Sequence, residues 1–138
     1  TFIPWDIETS AGVDRQMLVL LLEAYRQEGE RVWLSLSPKI APYKVAVFPL
    51  LGNKPELINK AKEVLNNLKQ DYMVAWDDRG NIGKRYAAQD EIGTPYCVTV
   101  DFDTLEKGEV TVRDRDTMKQ EKVTISDLKR HLSMLLSK

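Results

Sequence analysis

The chain has 138 residues, 43% hydrophobic and 30% charged, with a formal net charge of −1. That length buries one substantial core, and the even charge balance confines any nucleic-acid contact to a local basic patch. A single cysteine, Cys97, excludes an internal disulfide and a thiolate metal cluster; a single histidine, His131, makes a Ser-His-Asp triad or a multi-histidine site hard to build, so no metal site is expected.

The opening Thr1-Phe2-Ile3-Pro4-Trp5 is apolar, extended and without a starting methionine, the pattern expected of a piece of a larger protein. From Ala11 or Gly12 to Gln27 the residues Met17, Leu18, Leu21, Leu22 and Tyr25 recur at helical spacing, with Gly29 as the stop. The longest apolar run, Met17 to Leu22, is too short to cross a bilayer, and the N-terminus lacks a signal peptide's flanks. Together with the lone cysteine this reads as a soluble, cytoplasmic protein with no membrane partner.

Arg31 to Leu36 alternates like a strand, and Pro38 and Pro42 bracket a connector, so a domain boundary is placed between residues 37 and 38. Tyr43 to Leu51 is a near-continuous apolar strand of the kind covered on both faces, with Pro49 at its end. Pro55 to Gln70 is an amphipathic helix, with Leu57, Ile58, Ala61, Val64, Leu65 and Leu68 as its stripe. Tyr72 to Trp76 is a second strand, and a strand-helix-strand run of this spacing predicts parallel pairing. A loop over residues 77–81 leads to a short helix from Ile82 to about Glu91, stopped at Gly93-Thr94-Pro95.

Tyr96 to Asp103 and Val110 to Arg115 then read as two strands of a hairpin turning at Gly108. Lys122 to Ile125 is a candidate edge strand, and Ser126 is the expected cap of a last helix carrying Leu128, Leu132, Leu135 and Leu136. The sum is an α/β domain with a mixed sheet of about five strands and three helices, preceded by a helical fragment of something else.

The stretch GNIGKRYAAQDEIGTP, Gly80 to Pro95, tests for chemistry. Its glycines fit neither GxGxxG nor GxxxxGK[ST], and Asp90 and Glu91 diverge by ~100° on a helix, which makes a poor acid-base pair. Lys84 and Arg85 form a cationic lip suited to phosphates or a base edge, or else a solvated helix end. In a regular hairpin, Asp101 and Asp103 share a face with Thr99, opposite Thr111, Arg113 and Arg115. That face is either an ion-pair ladder or a surface that hydrogen-bonds unstacked bases, with Phe102 or Tyr96 for stacking. Near the N-terminus, Glu8-Thr9-Ser10-Ala11-Gly12-Val13-Asp14-Arg15 sets small residues before a helix whose first turn carries an arginine, a geometry that can hold a nucleotide.

These stretches occur in order. IETSAGVDR, SPKIAPYKVAVFPL, GNIGKRYAAQDEIGTPYCVTVDFDTL and VTVRDRDTM resemble the C-terminal part of homodimeric class II glycyl-tRNA synthetases, from Phe2 to about Ile125. The resemblance implies an anticodon-binding domain over residues 38–138 and the end of a catalytic domain, with class II motif 3, over residues 1–37. It implies a glycine pocket lined by Glu8 and Ser10, and Arg15 as the catalytic arginine that packs on adenine and reaches the ATP phosphates. Trp5-Asp6-Ile7-Glu8-Thr9-Ser10 stands where the commoner family form has His-Val-Ile-Glu-Pro-Ser.

For the anticodon it implies contacts by Arg85, Phe102 and Arg113, then Lys84, Asp101 and Arg115. A whole enzyme of this kind is a homodimer that uses ATP and Mg2+ to join glycine to its tRNA. Motifs 1 and 2 are absent from these residues, so the 138-residue chain alone is expected to be inactive and to hold no cofactor. The alternative is a synthetase-like adaptor or polymerase-accessory domain, against which the intact Glu8, Ser10 and Arg15 argue. A stand-alone small enzyme lacks a nucleophile-base pair or cofactor loop.

Overall fold

The computed structural model describes residues 2–137; Thr1 and Lys138, the outer limits of the two expected domains, lie outside them. Helix α1 (Val13–Ala24) is followed by strands β1 (Tyr25–Glu28), β2 (Arg31–Leu34) and β3 (Val45–Pro49), then helix α2 (Pro55–Leu68) and strand β4 (Val74–Trp76). Helix α3 (Ile82–Ile92), strand β5 (Tyr96–Val100), helix α4 (Phe102–Lys107), strands β6 (Glu109–Asp114) and β7 (Gln120–Thr124) and helix α5 (Ile125–Leu136) complete the order.

Five strands form one mixed sheet in the order β4-β3-β5-β6-β7. The expected parallel pairing holds, with Val45 opposite Val74, and β3 also runs parallel to β5, with Val47 opposite Val98. Strands β6 and β7 then add antiparallel, with Val98 opposite Val112 and Val110 opposite Val123. Because side chains alternate along a strand, each face of this sheet has its own composition.

On one face Val45, Val47, Val98, Val100, Val110 and Val112 pack against Leu57, Ala61, Val64, Leu65 and Leu68 of α2 and Leu128 and Leu132 of α5. This is the main core, and each fully buried Leu or Val in it is worth about 1.5–3 kcal/mol over an exposed one. On the other face Ala46, Phe48, Ala75 and Cys97 pack with Tyr43 and with Ile82 and Tyr86 of α3. Helix α3 is stopped by Gly93 at φ 89°, where a Cβ would meet Leu36 Cδ1 at 2.7 Å and the Leu34 carbonyl oxygen at 3.1 Å. No helix of the described residues is long and apolar enough to cross a membrane.

The structure departs from the sequence expectations in four places. The first helix ends at Ala24 rather than Gln27, because Tyr25 to Glu28 pair antiparallel with Arg31 to Leu34 and Gly29, at φ 58°, makes the turn. The strand from Tyr96 ends at Val100 rather than Asp103. There Asp101 accepts a hydrogen bond from the Thr104 backbone N–H at 3.0 Å, Thr104 Oγ1 accepts one from Asp101 N–H at 3.0 Å, and this reciprocal cap starts α4. Gly108, at φ 71°, closes that helix rather than a hairpin turn. The last helix has Thr124 rather than Ser126 at its N-cap position, with no side-chain bond to the helix backbone, and Ser126 lies inside the helix.

Candidate nucleic-acid interface

Helix α3 begins where Asn81 Oδ1 accepts from Lys84 N–H at 2.8 Å. From there Ile82, Arg85, Tyr86, Gln89 and Asp90 recur at helical spacing, and this stripe faces the sheet and β2. Lys84 falls outside the stripe and is exposed, as a phosphate-contacting lysine requires. Arg85 falls inside it.

Only 2% of Arg85 is exposed. Its Nη1 donates to the Pro49 carbonyl at 2.6 Å and to the Asp77 carbonyl at 3.5 Å, while Nη2 donates to the carbonyls of Leu50 and Gly80, both at 3.3 Å. The guanidinium therefore staples the loop after β3 to the loop after β4 instead of forming a surface lip with Lys84. A Cβ at Gly52 would lie 2.0 Å from the Asp78 carbonyl oxygen, so only glycine lets these two loops touch.

Between them lies a cleft of about 480 Å³ lined by Leu50, Leu51, Asn53, Asp78, Asn81 and Ile82, with Arg85 beneath. It sits at the carboxyl ends of β3 and β4, whose outgoing helices α2 and α3 cover opposite faces of the sheet, the usual place for a ligand in such a fold. A shallower hollow of about 180 Å³ adjoins it, sharing Leu50 and Ile82 and adding Tyr86, Thr99, Asp101, Thr111 and Gln120.

That hollow opens on the part of the sheet α3 leaves uncovered, where Thr111 lies opposite Lys122. Tyr86 Oη and Thr99 Oγ1 lie 2.6 Å apart at its floor, and burial pushes the Tyr86 phenol above its ordinary pKa. Beside it, Phe102 opens α4 with 47% of its surface exposed. Hydrogen bonds from Lys122 and Lys107 hold the Asp103 carboxyl below the usual carboxylate range. Leaving the strand at Val100 thus turns Phe102 out to solvent and makes Asp101 a half-buried helix cap.

Arg113 and Arg115 do not stand opposite a row of strand acids. Only 6% of Arg113 is exposed, because α3 covers it: Nη1 and Nη2 donate to Asp90 Oδ1 and Oδ2 at 2.8 and 2.9 Å, and its guanidinium carbon lies 4.7 Å from the centre of the Tyr86 ring. Burial disfavours its charge, and the Asp90 hydrogen bonds more than offset this, so Arg113 titrates above its ordinary range. Arg115, 3% exposed, donates to the carbonyls of Gly93 at 2.7 Å and Leu36 at 3.0 Å and pairs with Asp116 at 2.8 Å.

A third hollow, of about 310 Å³, adjoins the second at Tyr86 and is lined by Glu30, Arg31, Val32, Asp90, Arg113 and Met118. The three hollows thus adjoin one another in a row, a depression that follows α3 from Ile82 to Glu91. Sequence reasoning missed Asn53, Asn81 and Gln120 as lining groups, and Lys122 beside them. Only the strand register brings Gln120 and Lys122 beside Arg113 and Thr111.

At the other end, Glu8 and Ser10 lie on an irregular, exposed segment and Arg15 in the first turn of α1, also exposed. Among the described residues no group of three or more His, Cys, Asp and Glu stands ready for a metal ion. Glu8, Ser10 and Arg15 alone therefore offer no ligand cluster for Mg2+.

A mixed sheet with helices on both faces and a depression at the carboxyl ends of its parallel strands defines an α/β domain with a concave surface where such folds hold ligands. Residues 44–134 match the family described as "Anticodon binding domain", and the chain belongs to that family. It is 49% identical over 132 residues, 92% of this chain and 29% of the relative, to a glycine–tRNA ligase of Borreliella afzelii (strain PKo). It is 48% identical over 145 residues to one of Thermobifida fusca (strain YX), covering 99% of this chain and 31% of the relative. Against one of Chlorobaculum tepidum it is 52% identical over 129 residues, 91% of this chain and 27% of the relative. The chain thus spans less than a third of the length of these curated relatives.

Proposed function

We propose that this chain is the RNA-reading part of a glycine–tRNA ligase and that the depression around α3 receives unpaired bases of the glycine tRNA's anticodon loop. The observation that carries this is the row of three adjoining hollows, the first and second meeting at Leu50 and Ile82 and the second and third at Tyr86, which offer amide, carboxylate and hydroxyl groups to base edges. Phe102 supplies an exposed ring for stacking and Lys84 an exposed charge for a phosphate, while Asp101, at the rim, accepts from a base amine. Arg85, Arg113 and Arg115 act from beneath, Arg85 by fixing the two loops and the others by fixing α3 and adding positive potential.

The longer protein of which such a chain is part joins glycine to tRNA with ATP and Mg2+, as a cytoplasmic homodimer. In it, Glu8 and Ser10 face glycine and Arg15 faces the nucleotide, with a domain boundary between residues 37 and 38. The apolar residues of α1, Met17, Leu18 and Leu22, are exposed in the described structure and pack against that longer protein.

The test compares the affinity of the chain for a stem-loop carrying the glycine anticodon with that for one carrying a scrambled loop, at fixed salt. Tighter binding of the former is expected. Phe102→Ala should cost about 1–3 kcal/mol of stacking, and Lys84→Ala should weaken both loops alike and lower the salt slope by about 1. Equal affinity for the two loops, with no loss in Phe102→Ala, overturns the reading.

A further inference from the structure

Asp90, 3% exposed, receives guanidinium groups from two distant parts of the chain. From β6, Arg113 takes both of its carboxylate oxygens. From β2, Arg31 reaches Oδ2 as well, with Nη2 at 3.1 Å and Nε at 3.4 Å. One buried carboxylate therefore holds two cations at the same oxygen, and the repulsion between them weakens the hold of each.

Both arginines line the third hollow, but each lies over a different ring. Arg113 lies over Tyr86, whose hydroxyl meets Thr99 at the floor of the hollow that adjoins the open sheet face. Arg31 lies over the Trp33 ring, 4.1 Å from its centre, and donates to the Arg115 carbonyl. Trp33 Nε1 in turn donates to Asp116 Oδ1 at 3.1 Å. The β1–β2 hairpin is thus latched to α3 and β6 through polar contacts, one of which it shares with the depression around α3.

We propose that Asp90 is a positioning residue that couples docking of the β1–β2 hairpin to RNA binding in that depression, an inference that rests on the RNA reading given above. With the hairpin docked, Arg31 adds a second positive charge at Asp90, so that the cluster is net positive and Arg113 attracts an RNA anion more strongly. An RNA anion near Arg113 in turn loosens its claim on Asp90 and tightens Arg31. Reciprocity makes these the same coupling measured from two ends. The bare alternative is that Asp90 only neutralises buried charge, in which case hairpin and RNA are independent.

The experiment has an RNA-free arm and an RNA arm, both on the full chain. Without RNA, the Arg113 Nε–H resonance is compared by NMR in the unaltered chain and in Arg31→Gln. A shift is expected, and an unchanged resonance overturns the coupling whatever binds the depression. With the glycine-anticodon stem-loop, affinities are measured for Arg31→Gln, Asp90→Asn and the double variant.

Arg31→Gln should weaken binding about fivefold or more, and in the Asp90→Asn background the same change should have no further effect. Additive losses mean that Arg31 meets RNA directly, and they overturn the proposal. Should Asp90→Asn not fold, amide exchange in the unaltered chain takes its place. RNA should slow exchange at Arg26 to Glu28 and Val32 to Ser35, and unaltered exchange there while the RNA is bound overturns the proposal. Failure of the unaltered chain to bind the stem-loop overturns the RNA reading instead, with the resonance shift still deciding the coupling between Arg31 and Arg113.

Discussion

The two faces of the five-stranded sheet are built on opposite terms. Toward α2 and α5 the sheet offers valines, and the helices answer with leucines. Toward α3 it offers Ala46, Phe48, Cys97, Thr99, Thr111 and Arg113, and the helix answers with Arg85, Tyr86 and Asp90. Yet that polar layer is also buried at its centre, where Cys97 is 1% exposed and burial pushes its thiol pKa up to about 12. The lesson is that the apolar face supplies stability without direction, while the polar face gives up some of that stability for hydrogen bonds that fix where two loops and a helix stand.

Four perturbations test this contrast, in descending order of effect. Leu132→Ala, in a fully buried position of the apolar face, should cost about 2–5 kcal/mol in chemical denaturation, with the RNA site unchanged in what survives folded. Arg85→Met should cost about 1–3 kcal/mol, since it strands carbonyls of the two loops, and should loosen their amides selectively in hydrogen exchange. An effect spread evenly over the molecule would erase the distinction between the faces.

Asp101→Ala removes the α4 cap and should cost about 0.5–2 kcal/mol, read by thermal unfolding, with Phe102 released from its outward pose. The smallest effect concerns Asp116. Burial disfavours its charge, but hydrogen bonds from Arg115, Ser35 and Trp33 outweigh this and hold its pKa below the ordinary carboxylate value. A depressed folded pKa means that the contribution is present at neutral pH and is lost as pH falls through that value. Acid titration followed by tryptophan fluorescence should show a low-pH step that Asp116→Asn lacks; an identical step in both would detach Asp116 from hairpin docking.

Most of the fold was legible because its strongest signals are periodic. The run from Val45 to Pro49 and the Leu57-to-Leu68 stripe announce a buried strand and an amphipathic helix in any context. Two elements were hidden by local competition. Tyr25 continues the helical spacing of α1, and only pairing with Leu34 draws it into a strand. Asp101 to Asp103 alternates like a strand, and only the reciprocal cap with Thr104 turns it into a helix.

The site was half legible. Lys84 and Phe102 are exposed as a binding role requires, whereas Arg85, Arg113 and Arg115 are buried, because a long cation pairs inside when carbonyls or a carboxylate surround it. The signal for Arg85 was present: it falls in the stripe Ile82, Arg85, Tyr86, Gln89 that faces the sheet. Arg113 gave no such signal, since its burial depends on α3 crossing over β5 and β6.

Strand β7 lies at the end of the sheet, next to β6 alone, so half of its main-chain donors and acceptors point to solvent. Such a row is a template on which a second copy can zip, and a flat apolar edge would convert this domain into a seed for fibres. Gln120, Glu121 and Lys122 occupy that edge, all of them exposed. Any added strand in register would crowd the charged Glu121 and Lys122 and the polar Gln120, and self-association along the edge is disfavoured for as long as they remain.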